Sequence, residues 1–396
     1  MVSVDFGALH VRIRFCDLLG ELKGETPLSE RDVLNDPNGA MSYVADVINQ
    51  RCPDRRQVAG IAVGVPFAIQ DGKPVTDSPW KWLGLERHVE EHLGWRPQLR
   101  IHSDVQLGAV AEMEAARVAS ESRKLGAETL TLIYVKWSGQ VSVAITIDGS
   151  LYLGKTGIAG TIGHGPAEAF SAGSVPCEHC KKHCVTSVAS IPGILADLRD
   201  KEIDGEGNET RAQELLALAR KDADVQHRLD FAGTTLGRAL GHAVNVLDPD
   251  VVVIGGAIKG RDFSLVLGSI REGIAETADA EINRTLDVIG GRETGEAAVK
   301  GGVALALREL AVPYLLDNRN DIAERFPSSR PTRSPKLKYD ALLDVLVHEH
   351  DGITVADAAK HLGVARARAL YPAVSRLTHQ QRLVKREGKL YPTNRR

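Results

Sequence analysis

Val141-Ser142-Val143-Ala144-Ile145-Thr146-Ile147 runs on into Asp148-Gly149-Ser150-Leu151-Tyr152-Leu153-Gly154 and then Gly157-Ile158-Ala159-Gly160-Thr161-Ile162-Gly163-His164, joining a strand signal to two glycine-rich stretches. Outward from it, short β-branched runs stand at Gly60 to Val65, Leu130 to Val135 and Val251 to Ile254, separated by long Ala- and Leu-rich helical segments. Strands that alternate with helices predict an α/β domain. A phosphate-loop-like turn near residue 5 and a comparable strand-turn near residue 135 are explained by two similar lobes, with boundaries near residues 115 and 290. The 396 residues suffice for two or three domains and a substantial core. Hydrophobic residues at 43% and charged residues at 26% exclude collagen-like, mainly disordered and membrane-embedded chains. No apolar stretch approaches the ~18 residues of a spanning helix, and the opening Met1-Val2-Ser3-Val4-Asp5 lacks the apolar run of a secretory signal. A cytoplasmic protein with no membrane partner is expected.

The net charge of −3 hides an asymmetry. Residues 1–328 carry 35 Lys+Arg against 46 Asp+Glu, a net −11, whereas residues 329–396 carry 14 against 6, a net +8. Clustered Lys and Arg displace the counterions condensed on a phosphate backbone, so a basic module on an acidic body points to a polyanion partner. Between the two regimes, Phe326-Pro327-Ser328-Ser329-Arg330-Pro331-Thr332-Arg333-Ser334-Pro335 holds three prolines and three serines, which deny both helix periodicity and a buried strand. An exposed linker over residues 326–337 follows.

Residues 338–396 form a separate module. Tyr339 to Val347 and Val355 to Leu362 carry apolar residues at helical spacing; Thr354, with Asp357 three positions on, supplies an N-cap to the second helix, and Gly363 a stop. Ala365 to Gln380 predicts a third helix, in which Pro372 demands a kink or a later start. Leu383 to Tyr391 predicts a hairpin turning at Glu387-Gly388. This order of elements, over about 60 residues, resembles the winged helix-turn-helix family of DNA-binding modules. A recognition helix carrying Arg366, Arg368 and Arg376 would then meet double-stranded DNA at base edges or phosphates, and a wing carrying Lys385, Arg386 and Lys389 would reach phosphate or the minor groove. Reading two half-sites calls for a homodimer or higher homo-oligomer. The alternative is a winged helix that contacts protein through ordinary solvated charges.

A second resemblance covers nearly all of residues 1–310. Asp5-Phe6-Gly7-Ala8-Leu9-His10, Gly64-Val65-Pro66 after one strand, Ser103-Asp104 after another, the glycine stretches leading to His164, and a cysteine cluster follow one another in order. Leu247-Asp248-Pro249-Asp250-Val251-Val252-Val253-Ile254-Gly255-Gly256 and Lys300-Gly301-Gly302-Val303-Ala304-Leu305 complete the series. Any one of these is weak; the succession resembles the ROK family of repressors and sugar kinases. The resemblance implies a two-lobed actin-like (ribonuclease H-like) α/β domain over residues 1–325. It also implies that Asp104 matches the base that takes the proton of an attacking sugar hydroxyl, with Ser103 and His164 also at a ligand.

Departures from the family pattern bear on function. Family kinases carry an Asp-x-Gly-Gly-Thr turn whose bare backbone approaches phosphate, where this chain has Gly7 followed by Ala8 and Leu9. The second phosphate turn, glycine-rich in the family, aligns with Ser138-Gly139-Gln140-Val141-Ser142-Val143. On the sugar side the family's Asn-Asp-x-Asn becomes Ser103-Asp104-Val105-Gln106, and two family glutamates become Thr161 and Thr186. Each lost carboxylate removes charge-assisted hydrogen bonds to a sugar.

Three of the five cysteines lie in Cys177-Glu178-His179-Cys180-Lys181-Lys182-His183-Cys184, downstream of His164. Sulfur and imidazole in that number suit a closed tetrahedral zinc site. In the family a His and three Cys bind structural zinc, which implies His164, Cys177, Cys180 and Cys184 here. The middle cysteine is displaced by one position, so His179 or His183 stands as a substitute for Cys180. Cys16 and Cys52 are isolated thiols. The expectation is a ROK-family transcriptional regulator with a kinase-inactive body sensing a sugar or phosphosugar. The alternatives are a sugar kinase using Asp104 as base, and a pseudoenzyme using both parts for protein contacts.

Overall fold

The structure, a computed structural model, describes residues 1–310 except 8, 25–27, 71–72, 75–84, 122–129, 169–173, 259–262 and 293–294, together with 353–361, 374, 383–386 and 389–392. The chain divides into two compact units, Met1–Leu316 and Asp317–Arg396.

The first unit opens with β1 (Val2–Phe6), β2 (His10–Phe15), β3 (Leu28–Glu30), α1 (Pro37–Arg51) and β4 (Ile61–Val65). A short β5–β6 hairpin (Ile69–Gln70, Lys73–Pro74), α2 (Leu85–Leu93) and β7 (Leu99–Ser103) follow. The sheet order is β3-β2-β1-β4-β7, with β1 antiparallel to β2 and parallel to β4, and β4 parallel to β7. Alternation along β2 sends Val11, Ile13 and Phe15 into a core with Met41, Val44 and Ile48 of α1, leaving His10, Arg12 and Arg14 for the opposite face. α1 begins where Asp36 accepts the Gly39 N–H at 2.9 Å and Pro37 fills the first turn, a position that needs no donor.

α3 (Asp104–Glu121) leads to the second sheet, built from β8 (Leu132–Trp137), β9 (Val141–Ile147), β10 (Ser150–Leu151), β11 (Val251–Gly256) and β12 (Asp287–Gly290). Its order, β10-β9-β8-β11-β12, repeats that of the first: two antiparallel hairpin pairings, then two parallel ones. β9 has the bounds its periodicity predicts. β8 is shifted by two residues from the predicted run, because the ladder continues through Lys136 and Trp137 opposite Gly255 and Gly256. Lys136 interrupts the apolar run without interrupting the strand. Helices α4 (Val185–Ala189), α5 (Ile191–Leu195), α6 (Gly207–Ala219), α7 (Ala223–Leu247) and α8 (Ser264–Thr277) build one core with the face carrying Ile133, Val135 and Trp137. The short α9 (Ala280–Thr285) precedes β12.

α10 (Ala297–Glu309) returns to pack on β1, β4 and α3, while α3 also packs on β8 and β9, so this helix pair lies between the two sheets. A Cβ on Gly301 would stand 1.8 Å from the Leu107 carbonyl oxygen of α3 and one on Gly302 2.1 Å from the Ser3 hydroxyl of β1, so the glycine pair read in the sequence lets α10 close on the helix with one residue and on the sheet with the other.

In the second unit, β13 (Ile353–Thr354) pairs with β15 (Lys389–Pro392), which pairs with β14 (Leu383–Arg386), all antiparallel. Arg386 lies opposite Lys389, leaving the predicted two residues for the turn. α11 (Val355–His361) starts behind Thr354, whose hydroxyl accepts the Asp357 N–H at 3.1 Å and donates to its carboxylate at 2.6 Å. The linker 326–337, the helix 339–347 and most of the helix 365–380, with Arg366, Arg368 and Arg376, lie outside the described residues.

Candidate functional site

Asp104 is the first residue of α3, directly after β7, and its side chain is only 9% exposed. The period of two along β8 puts Leu132 and Tyr134 on the side facing α3, and Lys136 next in that row. Lys136 Nζ forms a direct ion pair with Asp104 Oδ2. Burial pushes the Lys136 ammonium down, but the adjoining Asp104 carboxylate, and beyond it Asp5 and Glu209, outweigh that and hold it above its usual value. Asp5 is the penultimate residue of β1, and His10 Nε2 lies 3.4 Å from its Oδ2.

The glycines that the sequence marks as nucleotide-side turns are covered by side chains. A Cβ on Gly7 would lie 2.2 Å from His10 Cε1, one on Gly139 would lie 2.4 Å from Asn208 Nδ2, and one on Gly255 would lie 2.6 Å from the Tyr134 hydroxyl. His10 and Asn208 thus lie against the Gly7 and Gly139 turns, whereas Tyr134 packs in the core between α3 and Gly255 of β11.

Beside Asp104 the polar groups are engaged internally. Gln106 Oε1 accepts the Ser103 N–H at 3.2 Å, while its Nε2 donates to the Gly157 carbonyl at 2.9 Å. Burial lowers the pKa of His102, so the neutral ring donates from Nδ1 to Gln106 Oε1 at 3.2 Å. Thr161 donates to the Ile158 carbonyl at 2.5 Å, and Thr186 accepts the Val141 N–H at 3.3 Å. Both threonines, where the family pattern has glutamates, serve backbone.

A separate cluster joins His164, Cys177, Cys180 and Cys184, whose ligand atoms all lie within 4.8 Å of one another. His164 ends a 3₁₀ turn (Thr161–His164), and Cys184 is the N-cap of α4. Cys177 and Cys180 share a tight turn in which Cys177 accepts from Lys181 and Lys181 adopts a left-handed φ of 57°. Nδ1 of His164 is 3.7 Å from the Cys177 sulfur and 3.9 Å from the Cys184 sulfur. Tetrahedral coordination with metal–sulfur bonds near ~2.3 Å and metal–nitrogen bonds near ~2.1 Å separates ligand atoms by about 3.6 Å, so the residues fit a single metal ion. Burial, with His179 nearby, lowers the His164 pKa, which favours the neutral imidazole a metal needs. Burial pushes the Cys184 thiol up to about 12, so a metal has to displace its proton. His179 stacks at 4.7 Å from His164, outside the four.

The sequence profile described as the ROK family matches residues 1–309. The chain belongs to the ROK family. The glucokinase of Halalkalibacterium halodurans is 25% identical over 281 residues, covering 65% of this ROK chain and 80% of its own. The xylose repressor of Bacillus subtilis is 21% identical over 328 residues, covering 80% of this chain and 78% of its own. Among solved structures, a ROK family transcriptional regulator, a homolog of the E. coli MLC protein, matches with a TM-score of 0.63 at 20% identity over 80% of each chain. ROK relatives of this chain thus include both a sugar kinase and repressors, on a mixed α/β fold that they share.

Within this ROK body, Ser103 and Asp104 are adjacent and buried, whereas His164 turns its Nδ1 toward the cysteine sulfurs. Lys385 and Lys389 are exposed on the β14–β15 hairpin; Arg386 lies in β14, its side chain outside the described residues. Sequence reasoning missed Lys136, Asn208 and the role of Gln106. Lys136 had a signal, a lone cation in an apolar strand with its period-two neighbours facing inward. Asn208 had none, because it reaches Gly139 from α6, far along the chain.

Proposed function

We propose that this ROK protein is a DNA-binding transcriptional regulator whose α/β body senses a sugar or phosphosugar and does not transfer phosphoryl groups. The observation that carries the reading is the covering of the Gly7 and Gly139 turns by His10 and Asn208. Phosphoryl transfer depends on backbone donors cradling the phosphates, and a side chain laid on each turn obstructs that approach. The repressor relatives support the same reading, as does the basic charge gathered in residues 329–396. The C-terminal module is then a winged helix that binds duplex DNA through Arg366, Arg368, Arg376, Lys385, Arg386 and Lys389, working as a homodimer or higher homo-oligomer in the cytoplasm. The metal at His164, Cys177, Cys180 and Cys184 is structural zinc, given three thiolates and one imidazole with no open position. When bound it supplies a rigid cross-link between the 3₁₀ turn, the cysteine turn and the start of α4.

Selection of genomic fragments by the purified protein tests the regulator reading. Discrete sites are expected, lost on Arg366→Ala with Arg368→Ala. One observation favours a sugar kinase instead: Asp104 stands at the base position of the family pattern, buried at the head of α3. An ADP-release assay with D-glucose, D-xylose and N-acetyl-D-mannosamine, the sugars in the names of relatives, separates the two. Turnover abolished by Asp104→Asn would establish the kinase and overturn the regulator reading.

A further inference from the structure

We propose that Lys136 is a tethered cation that occupies Asp104 in place of a ligand hydroxyl, an autoinhibitory contact between the second sheet and the head of α3 that any sugar must displace. The inference rests on the reading of residues 1–309 as a sugar-sensing body with Asp104 at its ligand.

Asp104 begins α3 directly after β7 of the first sheet and Lys136 lies in β8 of the second, so their contact ties the head of α3 to the second sheet. Lys136 is held in the ladder on both sides, opposite Ser142 of β9 and Gly255 of β11, so a strand and not a loop delivers the ammonium. The carboxylate is 9% exposed and the lysine side chain 33% exposed, so the nearly buried acid is paired with a partly solvated cation. A sugar hydroxyl would also make a charge-assisted bond to Asp104, but Lys136 adds a full opposite charge on a strand that already holds it in place, so an arriving hydroxyl meets a competitor. Asp5 and Glu209 also act on the Lys136 charge, so a displaced ammonium still has carboxylates to face. A displaced ammonium, on a side chain already 33% exposed, is therefore not stranded as a buried unpaired charge. Gln106 gives α3 a second tie, to the Gly157 carbonyl, that stays when the lysine moves.

The test is calorimetric titration of the full chain with D-glucose, D-xylose and N-acetyl-D-mannosamine, comparing the unaltered protein with Lys136→Met, Lys136→Arg and Lys136→Met combined with Asp104→Asn. Lys136→Met is expected to bind at least one of the sugars about tenfold more tightly, or to bind where the unaltered protein gives no heat. Lys136→Arg should retain the weak binding, and Asp104→Asn should erase the gain. A purely structural role for Lys136 predicts a loss of stability with no gain in affinity. Folded Lys136→Met that binds none of the three more tightly, or a gain that survives Asp104→Asn, overturns the proposal. Should Lys136→Met not fold, Lys136→Gln, with a neutral donor of shorter reach, carries the same comparison. Failure of the regulator reading shows itself separately, as ADP release by the unaltered protein. Absence of ADP release together with no gain in affinity sinks the lysine contact alone.

Discussion

Arg228 shows how single buried charges hold this body together. Its Nε donates to Asp197 Oδ2 at 2.6 Å, and its Nη2 donates to the carbonyls of Val188 at 2.7 Å and Gly193 at 3.0 Å. One guanidinium on α7 thereby serves the ends of α4 and α5, with both partners of the ion pair nearly buried. Arg228→Leu keeps the apolar bulk but strips donors from two carbonyls and weakens the compensation of a carboxylate. Breaking a buried pair from one side typically costs about 3–5 kcal/mol. Urea unfolding of the variant should show a loss of that order, and a loss below about 1 kcal/mol, the range of exposed pairs, would show that the contact is open to solvent in solution. The same pattern governs the candidate site, where Lys136, Gln106, Thr161 and Thr186 are each engaged with protein groups.

Among the helices, α7 and α8 meet through small residues spaced four apart: a Cβ on Gly237 would lie 2.2 Å from the Ile270 carbonyl oxygen, and one on Gly241 would lie 2.0 Å from the Thr277 hydroxyl. Gly237→Ala must force the backbones apart, which by the usual penalty of overpacking lowers stability by about 1–3 kcal/mol. Gly268, on the exposed side of α8, has open space around its Cβ position, so Gly268→Ala should raise stability by about 0.5–1 kcal/mol through helix propensity. Thermal unfolding midpoints moving in the same direction for both would contradict this packing. If the four residues hold an ion, it would link the 3₁₀ turn, Cys177–Cys180 and the head of α4, so a strong chelator should increase amide exchange first in residues 161–168 and 174–189. Element by element, legibility followed locality. Val141–Ile147 was readable to the residue since alternation is written in consecutive positions, and the thiol and imidazole spacing announced their cluster. β8 was displaced by two residues because Lys136, a charge aimed at Asp104, resembles the end of an apolar run. The contacts of Asn208 with Gly139 and of Gln106 with Gly157 join distant elements and leave no pattern in the chain.

At the scale of the molecule, two sheets with the same strand order enclose α3 and α10, and a separate basic unit follows an acidic body. The repeat was legible as two phosphate-turn-like stretches, yet what covers those turns was not, since a fold fixes where a cleft lies while individual side chains decide whether it accepts nucleotide. The charge division makes the last prediction quantitative. Each phosphate that a Lys or Arg neutralises on duplex DNA contributes about 0.9 to the slope of log affinity against log salt. Lys385 of β14 and Lys389 of β15 are exposed on one hairpin, which is the wing in the proposed winged helix. If both contact phosphate, Lys385→Ala with Lys389→Ala should reduce that slope by about 1.8 and weaken selected and random duplexes alike. Arg366→Ala with Arg368→Ala should instead flatten the preference between selected and random duplexes, because base-edge contacts carry sequence information that phosphate contacts lack. Fluorescence anisotropy on the full chain over a series of salt concentrations reads both quantities. An unchanged slope in the double lysine variant would place the hairpin away from DNA and leave it to contact protein.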